Sequence, residues 1–348
     1  MEIRKLNNSD IPAAKQLWMD AFGDSEAFVR FYFEHKFDLE FSMGAFDSGI
    51  MAGDLTMQNM TVRMRGSLWK TGFLAGCATR KDYRNRGVMK KLLYAQLAEM
   101  NEQGYALCHL HPFLHDFYRK FGWETVSFMK EARILPAGGG KAFLNSKFDP
   151  GDLWEMYLVF MQHADGNFLR SKEEMRIRID EHLNDGGKII AGSGGYAFYF
   201  VDSHELEVIE LVWTTQSPQE LLSPLGTYGV PVHCFLPDYV TSDLPGVISE
   251  YTMMRIVNAE NLFARLQIDQ DISFTLCIRD DFCEWNNRKF VLDFRKGKKS
   301  VRAYEGSAVD TEIDIGDLAR LAAGKTEGTF GLLEKLFVPQ KTCFFNTY

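Results

Sequence analysis

The stretch that most constrains this chain runs from Gly72 to Trp123, where an apolar strand, a basic glycine turn and an amphipathic helix follow one another without a break. The strand pattern ends at Thr79, and the turn spans Arg84 to Gly87. The following helix carries Met89, Leu92, Leu93, Gln96, Leu97 and Met100 along one side. A helix N-terminus placed directly after a strand end is an anion site. Its first amides have no internal partners, and the helix dipole favours negative charge there. Arg84 and Arg86 add positive charge, and Gly87 lets the backbone approach a ligand closely. A short strand and the run F-Y-R-K-F-G-W at 117–123 come next.

Around this stretch the chain reads as an alternation of strands and helices. A strand over Met1–Leu6 precedes a helix bearing Ile11, Ala14, Leu17, Trp18 and Phe22, with Asn8, Ser9 and Asp10 as candidate caps. A second helix is expected over Ser25–Lys36, then an antiparallel meander over Phe41–Phe46, Gly49–Met64 and Leu68–Thr79. Gly104 ends the helix of the opening stretch; a strand over Tyr105–His111, a short helix over Phe113–Phe121 and a strand over Trp123–Leu135 follow. The glycine-rich segment 136–141 reads as a linker.

Beyond it, helices are expected over Asp152–His163 and Ser171–Asn184, and a hairpin over Tyr196–Val201 and Leu206–Thr214. A helix over Ser217–Leu225, capped by Ser217 with Pro218 at its first position, leads to a strand over Val230–Leu236. This block repeats the hairpin–helix–strand order of the first, without arginine or a close-approach glycine after Trp213. From Tyr251 the pattern is α+β with an antiparallel sheet. Its strands are Met253–Val257, Ile272–Asp280, Lys289–Arg295 and Lys299–Tyr304, and its helices Ala259–Ala264, Ile315–Ala322 and Gly328–Leu336. The last residues, Phe344-Phe345-Asn346-Thr347-Tyr348, are too aromatic for a free end and are expected to be tied down.

Composition narrows the function. The formal net charge of −8 and the absence of a long basic run argue against nucleic acid and suit a cationic substrate. No apolar run approaches the roughly 18 residues of a membrane helix, and the N-terminus has no signal core, so the expectation is a cytoplasmic protein. The six cysteines are scattered, which suggests neither a disulfide framework nor a zinc site. His109 and His111 share a strand face, but no further ligand joins them at metal spacing, and no metal is expected. Asp280-Asp281-Phe282 reads as a turn rather than a calcium loop.

The order strand, R-x-x-G-x, helix, strand, F-Y-R-K-F-G-W resembles the GNAT acetyltransferase superfamily. The full chain is similar to its Eis (enhanced intracellular survival) branch. The resemblance rests on Y-R-N-R-G-V-M-K-K-L at 83–92, F-Y-R-K-F-G-W-E at 117–124, G-G-Y-A-F-Y-F at 194–200 and the aromatic end. It implies an α+β chain of two tandem GNAT-type mixed-sheet domains followed by a sterol-carrier-protein-like α+β domain. The boundaries fall at 1–136, 141–248 and 249–348, with the second GNAT domain degenerate.

It also implies an N-acetyltransferase using acetyl-CoA as acyl donor. Cys77, Ala78 and Thr79 would hold the acetyl and pantetheine portion, and Arg84, Asn85, Gly87, Val88 and Met89, with Arg86 beside them, the pyrophosphate. Tyr118 would be the general acid, and the α-carboxylate of Tyr348 the base. The acceptor would be a small aminoglycoside- or polyamine-like amine, or lysine, and the assembly a homo-oligomer such as a hexamer. His111 or His115 would line the acceptor pocket. Asn85 and Met89 depart from the arginine and small residue usual in relatives, and Tyr348 from a terminal Phe. A reading of another class, an apolar-ligand or lipid carrier, follows from the sterol-carrier-like portion.

Overall fold

In a computed structural model of the chain, the described residues are 1–135, 148–215, 217–240, 244–268, 270–295, 298–328 and 330–345. The segment 136–141 and Tyr348 lie outside them. Strand β1 (Glu2–Lys5) is followed by a turn in which Asn7 and Asp10 form a reciprocal cap, and then by α1 (Ile11–Phe22). Ser25 caps α2 (Glu26–His35) by accepting from the Phe28 amide at 3.0 Å. The meander is β2 (Met43–Asp47), β3 (Ile50–Met64) and β4 (Ser67–Thr79), antiparallel throughout. Next come α3 (Val88–Glu102), β5 (Leu107–Leu110), α4 (His115–Arg119) and β6 (Glu124–Ile134).

The middle of the chain holds α5 (Pro150–Met161), β7 (Asn167–Leu169), α6 (Lys172–Asn184), β8 (Lys188–Gly192), β9 (Gly195–Val201) and β10 (Leu206–Trp213). The helix expected over Ser217–Leu225 is only α7 (Gln219–Leu222), which tightens into a 3-10 turn from Ser223, with Pro224 in it. Pro224 brings no amide for a helical bond, so the α-form stops there. Strand β11 (Val232–Pro237) closes this block.

The last part comprises β12 (Gly246–Ile256), α8 (Ala259–Arg265), β13 (Ile272–Arg279), β14 (Lys289–Arg295), β15 (Lys298–Ala303), β16 (Thr311–Asp314) and α9 (Ile315–Ala322). The helix expected over Gly328–Leu336 is a 3-10 turn at Gly331–Lys335. β16 was not foreseen, and it pairs parallel with β13, so this sheet is mixed rather than antiparallel. Asp280 accepts from the Phe282 and Cys283 amides, which makes 280–283 the expected turn.

One sheet runs in the order β1-β2-β3-β4-β5-β12-β6-β11-β10-β9-β8, with β7 on the side of β3. Strand β12 sits between β5 and β6, so the stretch Met253–Val257 belongs with the first strands of the chain rather than with the last sheet. Strand β6 in turn pairs with β11. On one face of the first strands lies the core around α3, with Leu55, Leu74, Leu92, Leu97 and Trp123; on the other lies the core of α1 and α2, with Trp18, Tyr32, Ala75 and Ala78.

The α2 and α6 helices meet through buried charge. Lys36 pairs with Glu181 at 2.6 Å, Glu181 with Arg178 at 3.0 Å, and Arg170 with Glu210 at 2.7 Å. Burial pulls Lys36 down to about 8 despite the Glu181 carboxylate, which acts in the opposite direction.

The chain's end is held as expected, as far as Phe345. Cys343 bridges to Asn167 and donates to the Gly166 carbonyl at 2.7 Å, Thr342 donates to Val126 at 2.8 Å, and the Thr252 hydroxyl donates to the Phe344 carbonyl. Phe344 packs into the core of the last sheet, and Phe345 into that of the middle block, stacked on Tyr251. The tail is a seam between two cores.

Candidate active site

The site begins with a defect in β4. Its ladder with β5 covers only Thr71 to Leu74, so Ala75 to Thr79 leave β5 while still pairing with β3. The ladder with β3 slips between Asp54–Ala78 and Thr56–Ala75, which places an extra residue in β4 at Gly76 and Cys77. Gly76 has φ of 58°, and a Cβ there would lie 2.3 Å from the Trp18 ring. Only glycine meets both demands. The bulge re-aims the backbone of Cys77, Ala78 and Thr79 at the open edge, where strand amides and carbonyls are available to a ligand.

Beyond Thr79 the chain turns through Arg80 to Gly87 into α3. Asn85 and Gly87 both adopt left-handed backbone, with φ of 62° and 74°. Asparagine tolerates that conformation better than most residues. No side chain caps α3, so its first amides remain open to an anion. Arg84, Asn85, Arg86 and Gly87 are exposed, Met89 is half-buried, and Val88 is buried against the sheet. The Arg86 guanidinium stands over the Tyr83 ring at 5.3 Å, and Arg80 is paired with Asp82 at 2.9 Å. A cleft of about 700 Å³ lies between α1 and this turn, lined by Gln16, Leu17, Asp20, Thr79, Arg80 and Arg84.

Across the opening, α4 presents Tyr118. Its ring packs edge-on against Phe117 and Trp123, and it comes up against the Cys77 side chain. The structure therefore brings the residues over 77–89 and Tyr118 to one place, although some forty positions separate the two ends. Burial pushes the Cys77 thiol up to about 12, with neighbouring Tyr118 acting downward and Asp54 upward. That thiol is a neutral filler and weak hydrogen-bonding group, not a nucleophile.

His109 and His111 lie beside the residues that hold the tail. His109 is fully buried, with Nδ1 2.8 Å from the Thr71 hydroxyl and its ring against Phe344 at 4.9 Å. His111 packs on Tyr251 at 4.2 Å, its Nδ1 3.1 Å from the Tyr251 carbonyl. Burial pulls His109 down to about 3 and His111 to about 4. Both are neutral rings that seat the tail. Among the described residues, no group of His, Cys, Asp or Glu side chains is arranged to hold a metal.

Sequence reasoning missed two parts of this site. Gly76 could have been found as a lone glycine inside a strand pattern, a bulge signal. Asp54 could have been found as one acid within the apolar run Met51-Ala52-Gly53-Asp54-Leu55.

Residues 2–126 match the acetyltransferase (GNAT) domain family, and residues 259–330 the sterol carrier protein domain family. The chain carries a GNAT acetyltransferase domain. It is thus an N-acyltransferase, with a GNAT-type unit repeated and a sterol-carrier-like unit after it. Solved structures share this architecture from end to end. A conserved protein of unknown function from Enterococcus faecalis V583, described as a probable N-acyltransferase, is 17% identical with a TM-score of 0.81, over 100% of this chain and 99% of that one. A GCN5-related N-acetyltransferase from Kribbella flavida is 18% identical, with a TM-score of 0.76 over 100% and 98%. Eis1 from Mycobacterium abscessus is 17% identical, with a TM-score of 0.75 over 100% of both chains. At such identities the likeness is one of fold. No curated protein matches the sequence. No helix among the described residues is long and apolar enough to cross a membrane.

Proposed function

We propose that this GNAT protein transfers an acetyl group from acetyl-CoA directly to a primary amine of a small cationic acceptor, of the aminoglycoside or polyamine kind, or to lysine. One observation carries the reading: Tyr118 comes up against Cys77 at the point where bulged β4 leaves β5 and runs into the uncapped start of α3. Acetyl-CoA would supply the activated acyl group. The open edge at Cys77, Ala78 and Thr79 would hold its pantetheine arm. The segment Arg84–Met89 would hold its pyrophosphate through helix amides and guanidinium charge.

Tyr118 suits the general acid. A thiolate leaving a thioester needs a proton, and a phenol with a reference pKa near ~10 holds one at neutral pH. An amine acceptor with pKa near ~10.4 arrives protonated and must lose its protons to a base. For that base we assign the α-carboxylate of Tyr348. The tail is seated as far as Phe345, in aromatic surroundings that would raise a carboxylate from its ordinary value.

A thiol-release assay with acetyl-CoA against aminoglycosides, polyamines and lysine peptides tests the reading. Turnover with at least one primary amine is expected, and Tyr118→Phe should lower kcat by about 100-fold with little change in acetyl-CoA affinity. Full turnover by Tyr118→Phe with every accepted amine would show that another group protonates the sulfur.

A further inference from the structure

The sheet has a gap beside β3. On its edge away from β4, this strand pairs with β2 as far as Leu55, opposite Met43, and with β7 from Thr61, opposite Leu169. Between them, residues 56–60 have no strand on that side among the described residues, so backbone groups of this edge are left for a ligand. A cavity of about 260 Å³ lies at the gap, between the end of α2 and the start of α6. Its lining includes Lys36, Asp38, Gln58, Asn59, Arg170 and Glu174. It shares no lining residue with the cleft between α1 and the donor turn, nor with the segment 77–89.

Behind this cavity the buried charges do not balance. Lys36 and Arg178 share Glu181, at 2.6 and 3.0 Å, and Arg170 and Arg178 share Glu210, at 2.7 and 3.5 Å. The exposures of these five side chains run only from 0% to 14%. The one further group on Glu210 is the Tyr196 hydroxyl, a neutral donor at 2.7 Å. Lys36, Arg170 and Arg178 against Glu181 and Glu210 leave one positive charge in excess, out of water, which is costly unless an anion completes the set. Arg170 shows where the anion is missing. Its Nη1 donates to Glu210, but its Nη2 has no hydrogen-bond partner among the described residues, although the residue is only 6% exposed. Arg170 and Lys36 both line the cavity, and the exposed acids Asp38 and Glu174 stand at its mouth.

We propose that this cavity is a binding site for a small zwitterion of the α-amino acid class, its carboxylate on Arg170 and Lys36 and its ammonium on Asp38 and Glu174. The carboxylate brings the buried set to neutrality and gives the Arg170 fork its second acceptor. The order of charge from inside to outside selects the class. A simple cation would face the buried positive excess, and a simple anion would have to pass the two acids without gaining from them. A zwitterion is attracted by both layers. Size agrees, because the volume lies below the roughly 300–1,000 Å³ of sites for drug-sized ligands and has no room for a long peptide. The open edge of β3 and the Gln58 side chain supply polar groups for the rest of the ligand. The site joins α2 and β3 of the acetyltransferase domain to α6 of the middle block, apart from the donor turn, and its occupation does not depend on the transfer reaction.

The test uses the full chain. Its Tm is followed with the common L-amino acids, with acetate and with methylamine, and the best binder is titrated by calorimetry. At least one amino acid is expected to raise the Tm and to bind one to one, more tightly than either half-ligand. Arg170→Lys keeps a cation for Glu210 but removes the fork, and should weaken that binding by about 10- to 100-fold, the loss of a charge-assisted hydrogen bond. The double variant Asp38→Asn, Glu174→Gln changes only exposed side chains and keeps groups that can still accept from the Glu40 and Ser171 amides. It should weaken amino acid binding by about 5-fold, leave acetate binding as it was, and fold whether or not Arg170→Lys does. Three results overturn the assignment: no amino acid binds, acetate binds as tightly as the best amino acid, or the double variant binds that amino acid as the wild type does. Tighter binding of an extended peptide than of any free amino acid also overturns it, in favour of a strand laid along β3.

Discussion

Phe344→Ala separates the seating of the tail from the integrity of the catalytic domain. Phe344 is fully buried, with its ring against His109 at 4.9 Å and Phe168 at 5.7 Å, and its carbonyl held by Thr252. Truncating a phenylalanine in such a place costs about 3–5 kcal/mol through lost transfer energy and the cavity left behind. Thr342, Cys343 and Phe345 are buried beside it, so the tail docks as one short segment and the cost should fall on that docking. Opening of the tail should become easier by the same amount, about 100- to 3000-fold at 1.4 kcal/mol per decade. Hydrogen exchange at the Cys343 amide, which donates to the Gly166 carbonyl, reads this directly. Amides of β3 and β4 should keep their protection, and acetyl-CoA should still bind. If the terminal carboxylate is the base, kcat falls with the docked fraction. Faster exchange at Cys343 with unchanged kcat would refute the role of the tail in the chemistry. Unchanged exchange would refute the energetic reasoning.

Three further outcomes follow from the same geometry. Gly76→Ala should lower stability by about 2–5 kcal/mol, from left-handed backbone strain and a collision with Trp18, and should weaken acetyl-CoA binding; a thermal melt and calorimetry measure both. Acid should loosen the tail. His109 and His111 have folded pKa values of about 3 and about 4, below the unfolded reference near ~6.5, so the unfolded chain binds more protons between those values. Their contribution is complete above about pH 6.5 and declines as the pH falls, by about 2 kcal/mol each at pH ~5, and His109→Asn should flatten the fall of Tm with acid. Cys77, with its thiol held up at about 12, should resist iodoacetamide at neutral pH in the folded protein; rapid labelling would place a thiolate there and contradict its burial.

The legible parts of the molecule were those built from local chemistry. The meander, α1 to α4, and the hairpin Gly195–Trp213 with its helix could be read because periodicity and capping residues mark them within a few positions. The donor turn was legible for the same reason: strand end, arginines and helix start are adjacent in sequence. What escaped was decided by distant partners. β7 is three residues whose strand character comes from pairing with Thr61–Arg63, and β16 is four residues made a strand by β13. The place of β12 between β5 and β6 is a matter of topology, and its apolar run fits any sheet. The bulge at Gly76 needed the register with β3, and the burial of Asp54 needed the whole surroundings.

The exchange of strands gives the C-terminal portion a mechanical reason to exist. Were β6 paired directly with β5, the sheet of the first strands would be continuous and the last third of the chain would hang beside it. Instead β12 enters between them, and the chain leaves β12 directly into α8 and the last sheet. Arg255 on β12 is then buried with its Nη2 donating to both carboxylate oxygens of Asp280, at 2.8 and 2.6 Å, so the strand and the last sheet are locked together. A buried pair of this kind contributes little net stability against an apolar pair of the same volume, but breaking it costs about 3–5 kcal/mol, which makes it a device for fixing one arrangement. The same strand supplies Thr252 to hold Phe344 and Tyr251 to stack on Phe345. Strand β12 therefore does two things at once: it completes the sheet beside β5, and it sets the height at which the tail runs past that strand. Any change that shifts β12 should move the tail and the opening beside Tyr118 together, and that is the coupling a transferase needs if its base arrives from the far end of the chain.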